Sequence, residues 1–103
     1  MNLSIVNLYL RNFLMAKKRR KLNKDFERKI YSSKKNVELV LGKIYDIDDE
    51  DIQKEYMRAF NQVVLLYDQI KEDYERQGFS DNSEDLLTNY KNAFNLFESE
   101  FEI

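Results

Sequence analysis

The chain has no cysteine, no histidine, no proline and no tryptophan, and its two glycines are Gly42 and Gly78. Each absence removes a class of protein. Without cysteine there is no disulfide framework, no zinc ribbon and no thiol nucleophile. Without histidine, the commonest general base and the commonest metal ligand are missing together. A β-sandwich or barrel depends on many glycine and proline turns, and these are too few to build one. Also missing is any run of about 20 apolar residues, the length a membrane span requires. What remains is 103 residues rich in Lys, Glu, Leu, Asn and Phe. That is the composition of one all-α domain with a single core.

The apolar spacing gives the architecture. From Leu22 the series runs Leu22, Phe26, Ile30, Ser33, Val37, Val40, Ile44, in steps of three and four residues. From Ile52 it runs Ile52, Tyr56, Phe60, Val63, Tyr67, Ile70, Tyr74, with the same steps in the same order. Such steps put one apolar stripe on a helix, as in a coiled-coil seam. Two arms of equal length and spacing, joined by a short connection, make an antiparallel hairpin.

The connection reads as a capped turn. Asp48 is the expected N-cap of the second arm, with acidic residues in the first turn to suit the helix dipole. Ile47 and Ile52 then fall at the two positions of a hydrophobic staple. Gly42, about one turn before the end of the first arm, either loosens that helix or lets a bulky neighbour approach. Gln77-Gly78-Phe79 predicts a Schellman-type stop. Asp81 and Glu84 then resemble a capping box, opening a third helix with the stripe Leu86/Leu87, Tyr90, Phe94, Phe97, Phe101, expected in the groove between the arms.

Leu3, Val6, Leu10 and Phe13 form a further short stripe that breaks at Lys17 and Arg20, which predicts a short N-terminal helix. Its basic run follows the apolar stretch rather than preceding it, so it does not read as a secretory signal. Met15-Ala16-Lys17-Lys18 has the look of an alternative translation start. The expected fold is therefore an antiparallel hairpin with a coiled-coil-like seam, a third helix and a short N-terminal helix. Together they make a three- to four-helix bundle in one domain. Its segments are an N-terminal apolar helix at 1–15, a basic arm at 17–44, an acidic arm at 48–77 and a C-terminal helix at 81–101.

The net charge of −2 hides an asymmetry. Residues 1–45 hold twelve basic residues against three acidic, a charge of +9; residues 46–103 hold five against sixteen, a charge of −11. Three readings compete. The basic arm pairs with the acidic elements and sets their register. Alternatively, residues 17–35 track phosphates of a nucleic acid or an anionic lipid, through Lys17, Lys18, Arg19, Arg20, Lys21, Lys24 and Arg28. In the third, the acidic face is aimed at a basic site on another protein. The acidic second half weighs against a nucleic-acid binder of this size. Docking of the N-terminal stretch on its own bundle or on a second subunit is the simpler reading than a membrane surface.

No catalytic constellation is legible. There is no glycine-rich phosphate loop, and the acidic run at 46–51 lacks the central glycine and the bidentate Glu of a calcium loop. The expectation is a protein without enzymatic activity, cofactor or metal. The off-stripe residues Tyr31, Leu39, Leu41, Met57, Val64, Leu65 and Leu66 exceed what one small core can bury. Their surplus predicts an apolar strip for a dimer or a partner groove. Candidate partner-binding residues are Tyr31 and Leu66 as anchors, with Asp46, Asp48, Asp49, Glu50, Glu98 and Glu100 to steer association.

The plain hairpin pattern is similar to several sets of small bacterial or phage proteins: bacteriocin immunity proteins, helical partners of type VII secretion, and phage-encoded inhibitors. No WxG turn is present, and the Tyr45/Asp49 spacing lies in the turn rather than after the second helix. The resemblance implies a cytoplasmic inhibitor, immunity or accessory factor, in a bacterium or a phage-infected cell, that occupies a partner protein. A nucleic-acid binder using residues 17–35 is the alternative.

Overall fold

The computed structural model describes residues 21–103. The predicted N-terminal helix and Lys17, Lys18, Arg19 and Arg20 lie outside the described residues. Three helices follow: α1 (Lys24–Tyr45), α2 (Glu50–Gln77) and α3 (Ser83–Glu100). Among the described residues the only extended pairing is an isolated bridge between Lys21 and Gly78. The protein is a small all-α helical bundle.

The counted stripes are the buried faces. In α1, Phe26, Ser33, Val37, Val40 and Ile44 are buried; in α2, Phe60, Val63, Tyr67 and Ile70. Leu22 drops out of the seam at 62 % exposure because α1 begins only at Lys24, behind Asn23, whose side chain accepts from the N–H of Phe26 at 2.9 Å. The arms are antiparallel. Phe26 packs at a tilt on Tyr74 at one end (5.7 Å between rings), and Gln53 reaches the end of α1 at the other. Burying a large apolar side chain completely is worth about 1.5–3 kcal/mol, so Phe26, Phe60, Ile44 and Ile70 dominate the cohesion of the hairpin.

The turn departs from the sequence expectation by one residue. Asp49, not Asp48, is the N-cap, its carboxylate accepting from the N–H of Ile52 at 3.0 Å. The staple positions move with it, so Ile47 and Ile52 do not occupy them, and Ile52 stays exposed. Gln53 supplies the missing closure. Its Nε2 donates to the carbonyls of Ile44 (3.2 Å), which also accepts from the N–H of Ile47, and Tyr45 (3.1 Å) at the end of α1.

The second connection also differs in detail. Gly78 has φ 73°, a left-handed value that glycine adopts without a Cβ clash, but its ψ of −156° carries the chain outward rather than into a Schellman turn. The N–H of Phe79 therefore bonds to the carbonyl of Lys21 at 2.6 Å instead of turning back on α2. Asp81 and Glu84 form no capping box. Ser80 and Ser83 make the turn instead: the N–H of Ser80 donates to Ser83 Oγ (2.9 Å), and the N–H of Ser83 to the carbonyl of Ser80 (3.1 Å).

Helix α3 lies along α2, with Phe97 against Phe60 (4.8 Å between rings) and Phe101 against Tyr56 (4.9 Å). It does not wedge between the arms. The backbones of α1 and α3 stay more than 8 Å apart, and α2 is the shared central helix. The two flanking helices run in the same direction, and side chains bridge them.

Candidate functional site

Two surfaces come out of this arrangement. The first is the groove between α1 and α3, of about 420 Å³. Its floor is Ser33, Tyr90 and Phe94, and its rims carry Arg28 and Lys29 on one side and Lys91 and Glu98 on the other. The floor is chemically satisfied. Tyr90 Oη donates to the carbonyl of Ser33 at 3.3 Å, and Ser33 Oγ donates to the carbonyl of Lys29 at 2.8 Å. No buried side-chain polar atom among the described residues lacks a partner, so no preorganised group waits there for a ligand.

The core tyrosines show how dry the interior is. Burial pushes the Tyr67 hydroxyl above its ordinary value of 10, and the nearby carboxylates of Asp68, Glu38 and Glu75 add to the effect. Burial likewise raises Tyr90; hydrogen bonding by Ser33 works against the shift, while Tyr67 and Glu98 reinforce it. Among the described residues no group of three carboxylates is placed to hold an ion.

The second surface is the end of the bundle where the turn and the C-terminus meet. Tyr56, near the start of α2, donates its hydroxyl to the carbonyl of Glu102 at 3.4 Å and packs on Phe101. That contact brings the acidic turn (Asp46, Asp48, Asp49, Glu50) to the same end as Glu98 and Glu100, all with exposed side chains. Segments half the chain apart in sequence thus make one acidic pole, with Ile52 and Ile103 exposed on it.

The remaining sequence-selected residues scatter. Leu66 is half-buried against the core, while its neighbour Leu65 is 49 % exposed. Tyr31 and Leu39 are exposed on the outer side of α1, 58 % and 59 %, well before the acidic pole. Lys21 is drawn toward the core end, its Nζ 5.9 Å from the centre of the Phe79 ring. Lys24 and Arg28 are exposed, and Arg28 pairs with Asp25 at 3.1 Å.

An ion pair that links different helices joins Lys29 to Glu84 at 4.0 Å, and both side chains are about half exposed. The other pairs are local to one helix: Arg28–Asp25, Lys34–Glu38, Lys54–Glu50 and Arg76–Asp73. Apart from the pair to the buried Asp73, these are exposed pairs, worth about 0–1 kcal/mol each. Sequence reasoning missed Asp73, which is buried in α2 and accepts from Gln77 Nε2 at 3.1 Å. Its period in the stripe is that of a core position, one residue before Tyr74.

The class these features define is a three-helix bundle with a polar groove on one side and an acidic pole at one end. Comparison with known protein families, with curated proteins and with solved structures finds no match. No helix among the described residues is long and apolar enough to cross a membrane.

Proposed function

We propose that this protein is a non-enzymatic protein-binding module, an inhibitor, immunity or accessory factor of a bacterial or phage-infected cytoplasm. It acts by occupying a partner that presents a basic surface. The observation that carries the reading is the acidic pole. Asp46, Asp48, Asp49 and Glu50 from the turn are brought together with Glu98 and Glu100 through the Tyr56 contact to Glu102. Predominantly acidic charge at the end that exposes Ile52 and Ile103 combines long-range steering with apolar anchoring, Lys54 pairing with Glu50 at 3.3 Å. The absence of histidine and cysteine from the sequence fits a role in binding rather than catalysis.

The test is affinity capture from host extract with the full chain and with a D48N/E98Q/E100Q variant, none of whose changes touches a helix cap. A partner retained by the parent and lost by the variant, with association slowed by salt, supports the reading. A capture set unchanged by the variant contradicts it. So does salt-sensitive binding of nucleic acid that disappears when Lys17, Lys18, Arg19, Arg20 and Lys21 are neutralised, since that would make the basic segment the functional surface.

A further inference from the structure

Helix α1 carries a second stripe on the side away from the seam. Tyr31, Lys35, Glu38, Gly42 and Tyr45 follow one another in steps of four and three, and all five are exposed. Leu39 flanks the stripe, exposed as well. Lys35 lies along it, its Nζ 5.3 Å from the centre of the Tyr31 ring.

Among the described residues nothing packs on Gly42. It sits in regular helix without a positive φ, and a Cβ built on it would meet nothing within 4 Å. Glycine in a helix interior costs roughly 1 kcal/mol relative to alanine. A residue with that cost and no such neighbour among the described residues, placed among exposed aromatic and aliphatic side chains, marks where another body approaches closely.

We propose that this stripe is a homodimer interface in which α1 packs antiparallel on α1 of a second copy. The stripe is complementary to itself in one register. With Tyr31 seated over the partner's Gly42, where no Cβ obstructs the ring, Lys35 falls opposite the partner's Glu38. By two-fold symmetry both contacts occur twice. The same register sets Arg28 opposite the partner's Tyr45, a cation over an aromatic face. The basic start of α1 thereby lies against the end of the other copy's α1. Glu38 is free to meet the partner's Lys35: its pair with Lys34 is 3.9 Å long and both side chains are 55 % exposed. The contact ends at Tyr45, the last residue of α1, so it leaves Asp48, Asp49, Glu50, Glu98 and Glu100 of the acidic pole uncovered.

Light scattering and sedimentation of the full chain across a wide concentration range test this. The expected mass is twice the 12.5 kDa of one chain. Lys35→Glu and Glu38→Lys singly place like charges face to face, and each weakens the dimer about tenfold or more. The combined K35E/E38K variant recovers most of the loss, which a merely structural effect would not do. Gly42→Gln blocks the seat of Tyr31 and yields a monomer that keeps its helicity. A wild-type chain of 12.5 kDa at every concentration overturns the proposal, whether the stripe is then covered by residues 1–20 or awaits a different protein. A dimer indifferent to the single reversals, or one the double swap fails to rescue, overturns the register and with it this interface.

Discussion

The hydroxyl of Tyr90 donates to the main-chain carbonyl of Ser33 across the top of α2, at 3.3 Å and out of contact with water. This bond joins two helices whose backbones do not touch. It also explains a polar residue in the α1 seam. A larger side chain at position 33 would stand where the Tyr90 ring enters, whereas serine is short and returns its own hydroxyl to the Lys29 carbonyl. Replacing Tyr90 with Phe keeps the ring and removes only the bond. The Ser33 carbonyl still has its acceptor role within the helix, so the expected loss is about 1 kcal/mol in urea denaturation with an unchanged m-value.

The turn gives a sharper test of cap assignment. Asp49 accepts from the N–H of Ile52, while Asp48 makes no such bond. Asp49→Ala should cost about 1 kcal/mol, and Asp48→Ala no more than a few tenths. Equal effects, measured by thermal melting of the two variants side by side, would mean that the helix starts where the apolar periodicity alone would place it.

Phe60 is fully buried and touches the rings of Phe94 and Phe97, so it belongs to both halves of the core. Phe60→Ala should destabilise by about 3–5 kcal/mol, and Phe60→Asp should abolish cooperative unfolding altogether. Circular dichroism of the Asp variant decides it: retained helicity with an unaltered melting temperature would show that the seam is wrongly drawn.

Alkaline pH should weaken the fold through its tyrosines. Tyr67 and Tyr90 hold their protons above the ordinary value of 10, so the folded chain binds more protons than the unfolded chain once pH passes that value. Stability is then fully present below about pH 10 and is lost as pH rises toward the folded values. A Y67F/Y90F variant should lose less stability than the parent over the same alkaline interval, read from denaturation midpoints.

Much of the fold was legible in the spacing, since a periodic stripe reports burial directly. Phe26, Val37, Val40, Ile44, Phe60, Val63, Tyr67 and Ile70 were all counted as seam and are all buried. The ends were less legible because they depend on competition among neighbouring cap residues. Asp48 and Asp49 are chemically alike, and only the backbone path chooses between them. Gln53 capping the helix before its own has no local pattern to announce it. Leu65 and Leu66 show the same limit on the surface: adjacent leucines differ by one helical step, and their exposure follows from where α3 lies. The acidic pole could be listed residue by residue, but its unity could not, because the contact of Tyr56 with Glu102 spans 46 positions. On α1 the surplus was read as Tyr31, Leu39 and Leu41, and Gly42 as loosening the helix or admitting a bulky neighbour; that no described residue is that neighbour is visible only in the fold.

The central claim is that the opposite charges of the described helices are directed mainly outward rather than holding the bundle together. Salt tests this directly. Urea denaturation of the full chain, dilute enough to remain a single copy, should give the same or a slightly higher stability as sodium chloride rises from low ionic strength, because screening relieves repulsion within the acidic pole. A stability that falls steadily with salt, by about 1 kcal/mol or more, would show attraction between the basic and acidic helices and would contradict the account.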